Sequence, residues 1–154
     1  MAIVAGARID ASDIVVPDPV VGVGASTNVI VATSWAVLPS NPASVSITNP
    51  HATADLLCLV TYTAWMKSVT TGWVQAGFEL TGDTTMAAPG PGDGIGDIVA
   101  AYASLPWTKL SGLVPVSLSP GTTTAEMVAR TSGTGTQNVD YPVIRIVPLR
   151  YLFA

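Results

Sequence analysis

Charge is scarce in this chain. Asp, Glu, Lys and Arg make up 10% of 154 residues. The six cations, Arg8, Lys67, Lys109, Arg130, Arg145 and Arg150, stand singly, and the net charge is -4. With no basic stripe to neutralise phosphates, the sequence excludes nucleic acid and anionic membrane surfaces as direct partners. Cys58 is the sole cysteine, which rules out an intrachain disulfide and a cysteine metal cluster. Long apolar runs are also missing. Leu56–Val60 is typical of the longest, far short of the ~20 residues of a spanning helix. Met1–Arg8 carries no basic segment followed by a sustained apolar one, so no signal peptide is read and synthesis in a cytoplasm is expected.

What is present is apolar and β-branched. Hydrophobic residues reach 49%, with 20 Val and 18 Thr. These side chains suit a pleated, half-buried surface better than a helix. A domain of this length still exposes roughly 30% of its unfolded-chain surface. So apolar a chain with so little charge is therefore expected to hide part of its surface between subunits.

The spacing of apolar residues predicts strands. Candidates are Val29–Val37, Ser44–Thr48, Asp55–Trp65, Gly72–Leu80, Ile98–Ser104, Leu113–Leu118, Thr123–Arg130 and Val139–Tyr151, with Pro142 and Pro148 placed near the ends of the last. In Asp55–Trp65 both alternating faces begin apolar, which predicts a central strand covered on both sides. About eight strands with a turn signal every ten residues predict an all-β antiparallel β-sandwich of the jelly-roll kind. Residues 1–24 hold Pro17, Pro19 and the joint-like Val21–Gly24. They read as a short extended N-terminal arm, leaving 25–154 as the sandwich domain.

The inventory for chemistry is thin. Asp93 and Asp97 in the Gly90–Asp97 string could offer oxygens to a cation, but calcium asks for six to eight, and a surface loop is the plainer reading. The glycines there do not follow a strand and open a helix, so no dinucleotide fingerprint is present. His51, the only histidine, follows Asn49-Pro50 in a turn. Cys58 lies in the most apolar strand, where a thiol is a small hydrophobe. Glu79 and Glu126, the only glutamates, sit on separate strands; Glu126 and Arg130 share a face and read as rim polar contacts. No catalytic residue, metal or cofactor is expected, and the reading is not an enzyme. Trp35, Trp65, Trp73 and Trp107 suit interface anchoring or packing, with Trp73 and Trp107 as candidate glycan contacts.

Several strings resemble a known group. They are Ser46-Ile47-Thr48-Asn49-Pro50 leading into Leu56–Trp65, Leu118–Thr124, Ala129–Gly135 and Tyr141–Tyr151. Together they resemble small jelly-roll exterior virion proteins of tailed bacteriophages, loosely allied to tumour-necrosis-factor and complement globular heads. The opening Ala5–Asp13 resembles the start of many phage tail-fibre and exterior virion proteins. The resemblance implies a homotrimer without enzymatic activity, on the virion exterior and assembled in the host cytoplasm. No fibrous shaft follows the arm, which suits a capsid decoration protein, with a minor tail or glycan-binding receptor tip as the alternative. The expected partners are sister copies, the major capsid or tail proteins, and a host cell-surface glycan. The expected attachment residues are Ile3, Val4, Ile9, Ile14 and Val15; the expected trimer residues are Tyr62, Trp73, Tyr141, Tyr151 and Phe153.

Overall fold

A computed structural model of the protein describes residues 15–24, 28–30, 32–40, 42–68, 72–88, 98–102, 107–132 and 137–152. These residues form ten strands and no helix: β1 (Val20–Val23), β2 (Asn28–Ile30), β3 (Ala36–Val37), β4 (Ser44–Asn49), β5 (Asp55–Ser68), β6 (Trp73–Gly82), β7 (Ile98–Tyr102), β8 (Thr108–Leu118), β9 (Gly121–Thr131) and β10 (Gln137–Leu152). The first sheet runs β1-β10-β5-β8, with β2 also on β10. The second runs β3-β9-β6-β7, with β4 also on β9. All pairings are antiparallel.

The wiring is that of a jelly roll. β1 and β2 share one edge of β10, and β3 and β4 share one edge of β9. If each couple is counted as one position, first pairs with last, second with seventh, third with sixth and fourth with fifth. The chain is thus a long hairpin wrapped into two facing sheets.

Period-2 alternation builds the core between them. Leu56, Cys58, Val60, Tyr62, Ala64 and Met66 of β5 point inward, as do Ile144 and Ile146 of β10 and Val114, Val116 and Leu118 of β8. Val74, Ala76, Phe78 and Leu80 of β6, with Ala125, Met127 and Ala129 of β9, meet them from the second sheet. The Tyr62 and Phe78 rings cross this gap with centroids 5.4 Å apart. Tyr62 lies opposite Gly112, where a Cβ would collide with the ring.

The sandwich corrects several expectations. Val21–Val23 is not a joint but part of edge strand β1, so the sheet begins before residue 25. The predicted Val29–Val37 strand is broken, because β2 belongs to the first sheet and β3 to the second, and the chain turns the corner between them. β5 is central but covered on one side only within the chain. Pro142 and Pro148 fall inside β10, where register shifts lie between Asp140 and Val143 and between Pro148 and Arg150. Both lie outside the Val143–Ile146 stretch paired with β1, so neither missing N–H removes a rung there.

Candidate binding surfaces

The two outer faces differ in chemistry. On the first sheet, cross-strand rows run Val23–Val143–Thr63–Ser111, then Val21–Arg145–Thr61–Leu113, then Val147–Leu59–Pro115. Val21, Val23 and Leu113 are exposed, Leu113 to 60%. Arg145 is the one charge within these rows. These rows are mostly Val, Leu and Pro, with Thr61, Thr63 and Ser111 among them, across the width of the sheet.

The second sheet's outer face is polar. Ser46 Oγ and Thr124 Oγ1 are 2.7 Å apart, and Thr48 Oγ1 and Thr122 Oγ1 3.0 Å. The next rung holds Ser44, Glu126 and Glu79 side by side. Partial burial raises the Glu126 pKa, and the facing Glu79 charge adds to the effect. Two rungs further, Arg130 lies opposite Gln75, and its Nε donates to Gln75 Oε1 at 2.7 Å. The Arg130 guanidinium carbon is 4.7 Å from the Trp35 ring centroid and 5.6 Å from that of Trp73. Arg130 is 8% exposed, and its Nη2 is buried without an acceptor. Arg130 is thus no rim contact: it is boxed between indoles, about 13 Å along the strand from Glu126.

The expected trimer residues separate. Tyr62 is 1% exposed and belongs to the core, so it has no surface to offer a sister copy. Tyr151 is buried as well; its hydroxyl donates to Val15 O at 3.3 Å, and its ring packs on His51. Trp73 is half-buried beside Arg130. Tyr141 is 59% exposed, with φ at 49°, in the first irregularity of β10. Left-handed backbone at a bulky residue is uncommon. Of the arm, Val15 is exposed and Val16 packs on the core. Ile3, Val4, Ile9, Ile14 and Phe153, and the Asp93 and Asp97 of the cation reading, lie outside the described residues. The two candidate glycan contacts are not brought together. Trp107 lies over Lys67 at 6.0 Å, near Trp65 on the first sheet, while Trp73 faces outward from the second.

No family model matches the chain, and no curated protein does. Among solved structures, a chain of the T13 particle of infectious bursal disease virus matches at 11% identity over 86% of this chain, with a TM-score of 0.47. A chain of the Gx strain of that virus matches at 13% over 86%, with a TM-score of 0.40. This chain spans 32% and 34% of those two. The C-terminal CBM6 of LamC, a laminarinase of Zobellia galactanivorans, matches at 15% over 84% of this chain and 99% of its own length, with a TM-score of 0.31. These are distant likenesses.

The remaining reactive groups have structural work. His51 Nδ1 accepts the Thr53 and Ala54 amides at 3.1 and 2.8 Å, stapling the turn into β5. Burial pushes the Cys58 thiol up to about 11, which leaves it protonated and unreactive at neutral pH. Among the described residues, no cluster of His, Cys, Asp and Glu could hold a metal ion. Sequence reasoning missed the Trp35–Arg130–Gln75–Trp73 grouping. Trp73 and Gln75 share an outward face in the alternation of β6, but the register that sets Arg130 beside them is a property of the folded sheet.

Proposed function

We propose that the chain is a non-enzymatic structural virion protein of a tailed bacteriophage: a homotrimeric knob on the capsid exterior, held by its N-terminal arm and stabilising the shell. One observation carries this reading. The first sheet's outer face presents Val21, Val23, Leu59, Leu113, Val143 and Val147 to solvent with a single charge among them. Subunit interfaces of obligate assemblies resemble a core cut in half, and the Val, Leu and Pro residues of this face, interspersed with Thr61, Thr63 and Ser111, run from one edge strand to the other. Three copies packed about an axis through these faces would remove it from water. Exposed Tyr141 sits on the same sheet and suits a rim contact.

The arm supplies attachment. Its root is fixed where Val16 enters the core and Tyr151 holds Val15 O, so residues before 15 start from a defined point. Three arms per knob raise effective concentration at the shell, and contacts made only in the assembled lattice stabilise it. Deletion of residues 1–14 is expected to abolish binding to undecorated particles while leaving a trimer in light scattering after size exclusion. A monomeric full-length chain would refute the assembly reading. Unchanged binding by the truncated chain would refute the anchoring.

The alternative position, a receptor-binding tip or minor tail protein, is favoured by a separate observation. The second sheet's outer face carries a tryptophan-flanked arginine at one end and glutamates and paired hydroxyl groups at the other, a surface unsuited to dry packing.

A further inference from the structure

We infer that the Trp35–Arg130–Trp73 box is a binding site for a glycan that carries one carboxylate-bearing sugar. The site lies on the sheet opposite the apolar face, and the inference stands whether or not the chain assembles. The argument starts from the Arg130 cation. It is 8% exposed. Its Nε is taken by the neutral Gln75, Nη2 is buried with no acceptor, and among the described residues no carboxylate pairs with it. A buried cation is normally matched by an anion or a full set of acceptors. Here the missing partner is an acceptor that carries negative charge.

Geometry narrows the anion. With Nε engaged, the guanidinium edge left over is the Nη1–Nη2 pair, two N–H groups in the spacing of a carboxylate's two oxygens. Indoles flank it at 4.7 and 5.6 Å, and a planar carboxylate enters such a box more easily than a tetrahedral phosphate. Because Nη2 is closed to solvent, the acid reaches it by displacing the Trp35 indole. Trp35 ends a short bend between β2 and β3, and the bend is tied back by Thr131 N donating to Ala32 O at 2.8 Å.

The surroundings narrow the molecule. Indole faces pack against the C–H face of a pyranose as well as against a cation. From Arg130 the outer face leads to Glu126, Glu79, Ser44 and the paired Ser and Thr hydroxyls. Carboxylates and hydroxyls there accept from and donate to sugar hydroxyls. The same two glutamates repel a polyanion, so the ligand is acidic at one sugar and neutral beyond it.

The test titrates tryptophan fluorescence of the full chain with a xylo-oligosaccharide bearing one glucuronic acid. Its methyl ester, neutral xylotetraose, polygalacturonate and a short aspartate-containing peptide serve as comparisons. Saturable binding of the acid is expected, weakened about tenfold or more for the ester and for R130K, which keeps the charge but loses the fork. W35A, which uncovers the guanidinium, is expected to bind the acid at least as tightly as the parent chain while R130K binds it weakly, and a thermal transition measured for R130K separates loss of the site from loss of the fold. Any one of three results would overturn the inference: no saturable binding of the acid, equal affinity for acid and ester, or a peptide that binds as well as the sugar. Preference for polygalacturonate would overturn the assignment of a singly acidic ligand.

Discussion

At the scale of single residues, the most informative pair is Glu79 and Glu126, which face each other across one rung of β6 and β9. Partial burial and then the Glu79 charge hold the Glu126 carboxyl above its ordinary 4.5. A folded state that binds this proton more tightly than the unfolded chain is destabilised above the folded titration point and relieved as pH falls through it. The penalty disappears below about 4.5. E126Q is therefore expected to raise the melting temperature at pH 7 and to flatten its rise on mild acidification, measured by circular dichroism between pH 7 and 4. A second residue acts by hydrogen bonding. Asn49 is buried, donates from Nδ2 to Ala54 O and Leu118 O, and accepts His51 N. Substitution by Ala leaves buried backbone groups unpaired, and N49A is expected to cost about 1–3 kcal/mol in urea unfolding. Neither role was legible from spacing. Asn49-Pro50-His51 reads as a turn, which it is, but that Asn49 also reaches the end of β8 depends on a contact 69 residues away. The burial of Cys58, by contrast, follows from its place in the most apolar strand.

At the scale of elements, alternation was a reliable guide wherever a strand has neighbours on both sides or a full ladder on one. β4, β6 and β9 carry the alternation read from their residues, and β5 is central as its two apolar faces require. It was least reliable at sheet edges. β1 is four residues held by β10, and the Val-Gly-Val-Gly string of Val21–Gly24 that overlaps it signals flexibility until pairing fixes it. Gly22 has a reason beyond freedom: a Cβ there would collide with the Ser44 backbone where β1 crosses β4. The β5–β8 pair offers a test of such close packing. Ala at 112 would drive a methyl into the Tyr62 ring, and G112A is expected to cost about 1–3 kcal/mol. Replacing the ring as well, in Y62L/G112A, should cost less than the two single changes added together, because the clash goes with the ring. Urea denaturation of the four chains closes the cycle. Edge strand β8 also carries Lys109 and Pro115, devices that discourage pairing with a further strand. If copies associate, these devices direct them to the face of the sheet instead of its edge.

At the scale of the whole molecule, the sandwich separates two surface chemistries onto opposite sheets, and this division follows from alternation. Every strand sends one row inward, so the sequence decides what its other row offers. At the middle of β5, β8 and β10 that row is Leu, Val and Pro with Thr61, Thr63, Ser111 and Arg145 among them; in β4, β6 and β9 it is mostly Ser, Thr, Glu, Gln and Arg, with Trp73, Gly77 and Val128. The apolar excess that composition pointed to thus lies on one named face. Which rows lie side by side depends on strand order, and the sequence does not state it. If sister copies cover the first face, polarity alone should open the assembly without harming the fold. Thr keeps β-branching and fits outward strand positions, so V23T/L113T/V143T removes apolar contact from two rows of the sheet and touches no core residue. The triple variant is expected to keep its circular dichroism spectrum and to elute as a monomer, with R130K, on the other face, retaining the mass of the parent chain. A triple variant of unchanged mass would show that copies meet through another surface.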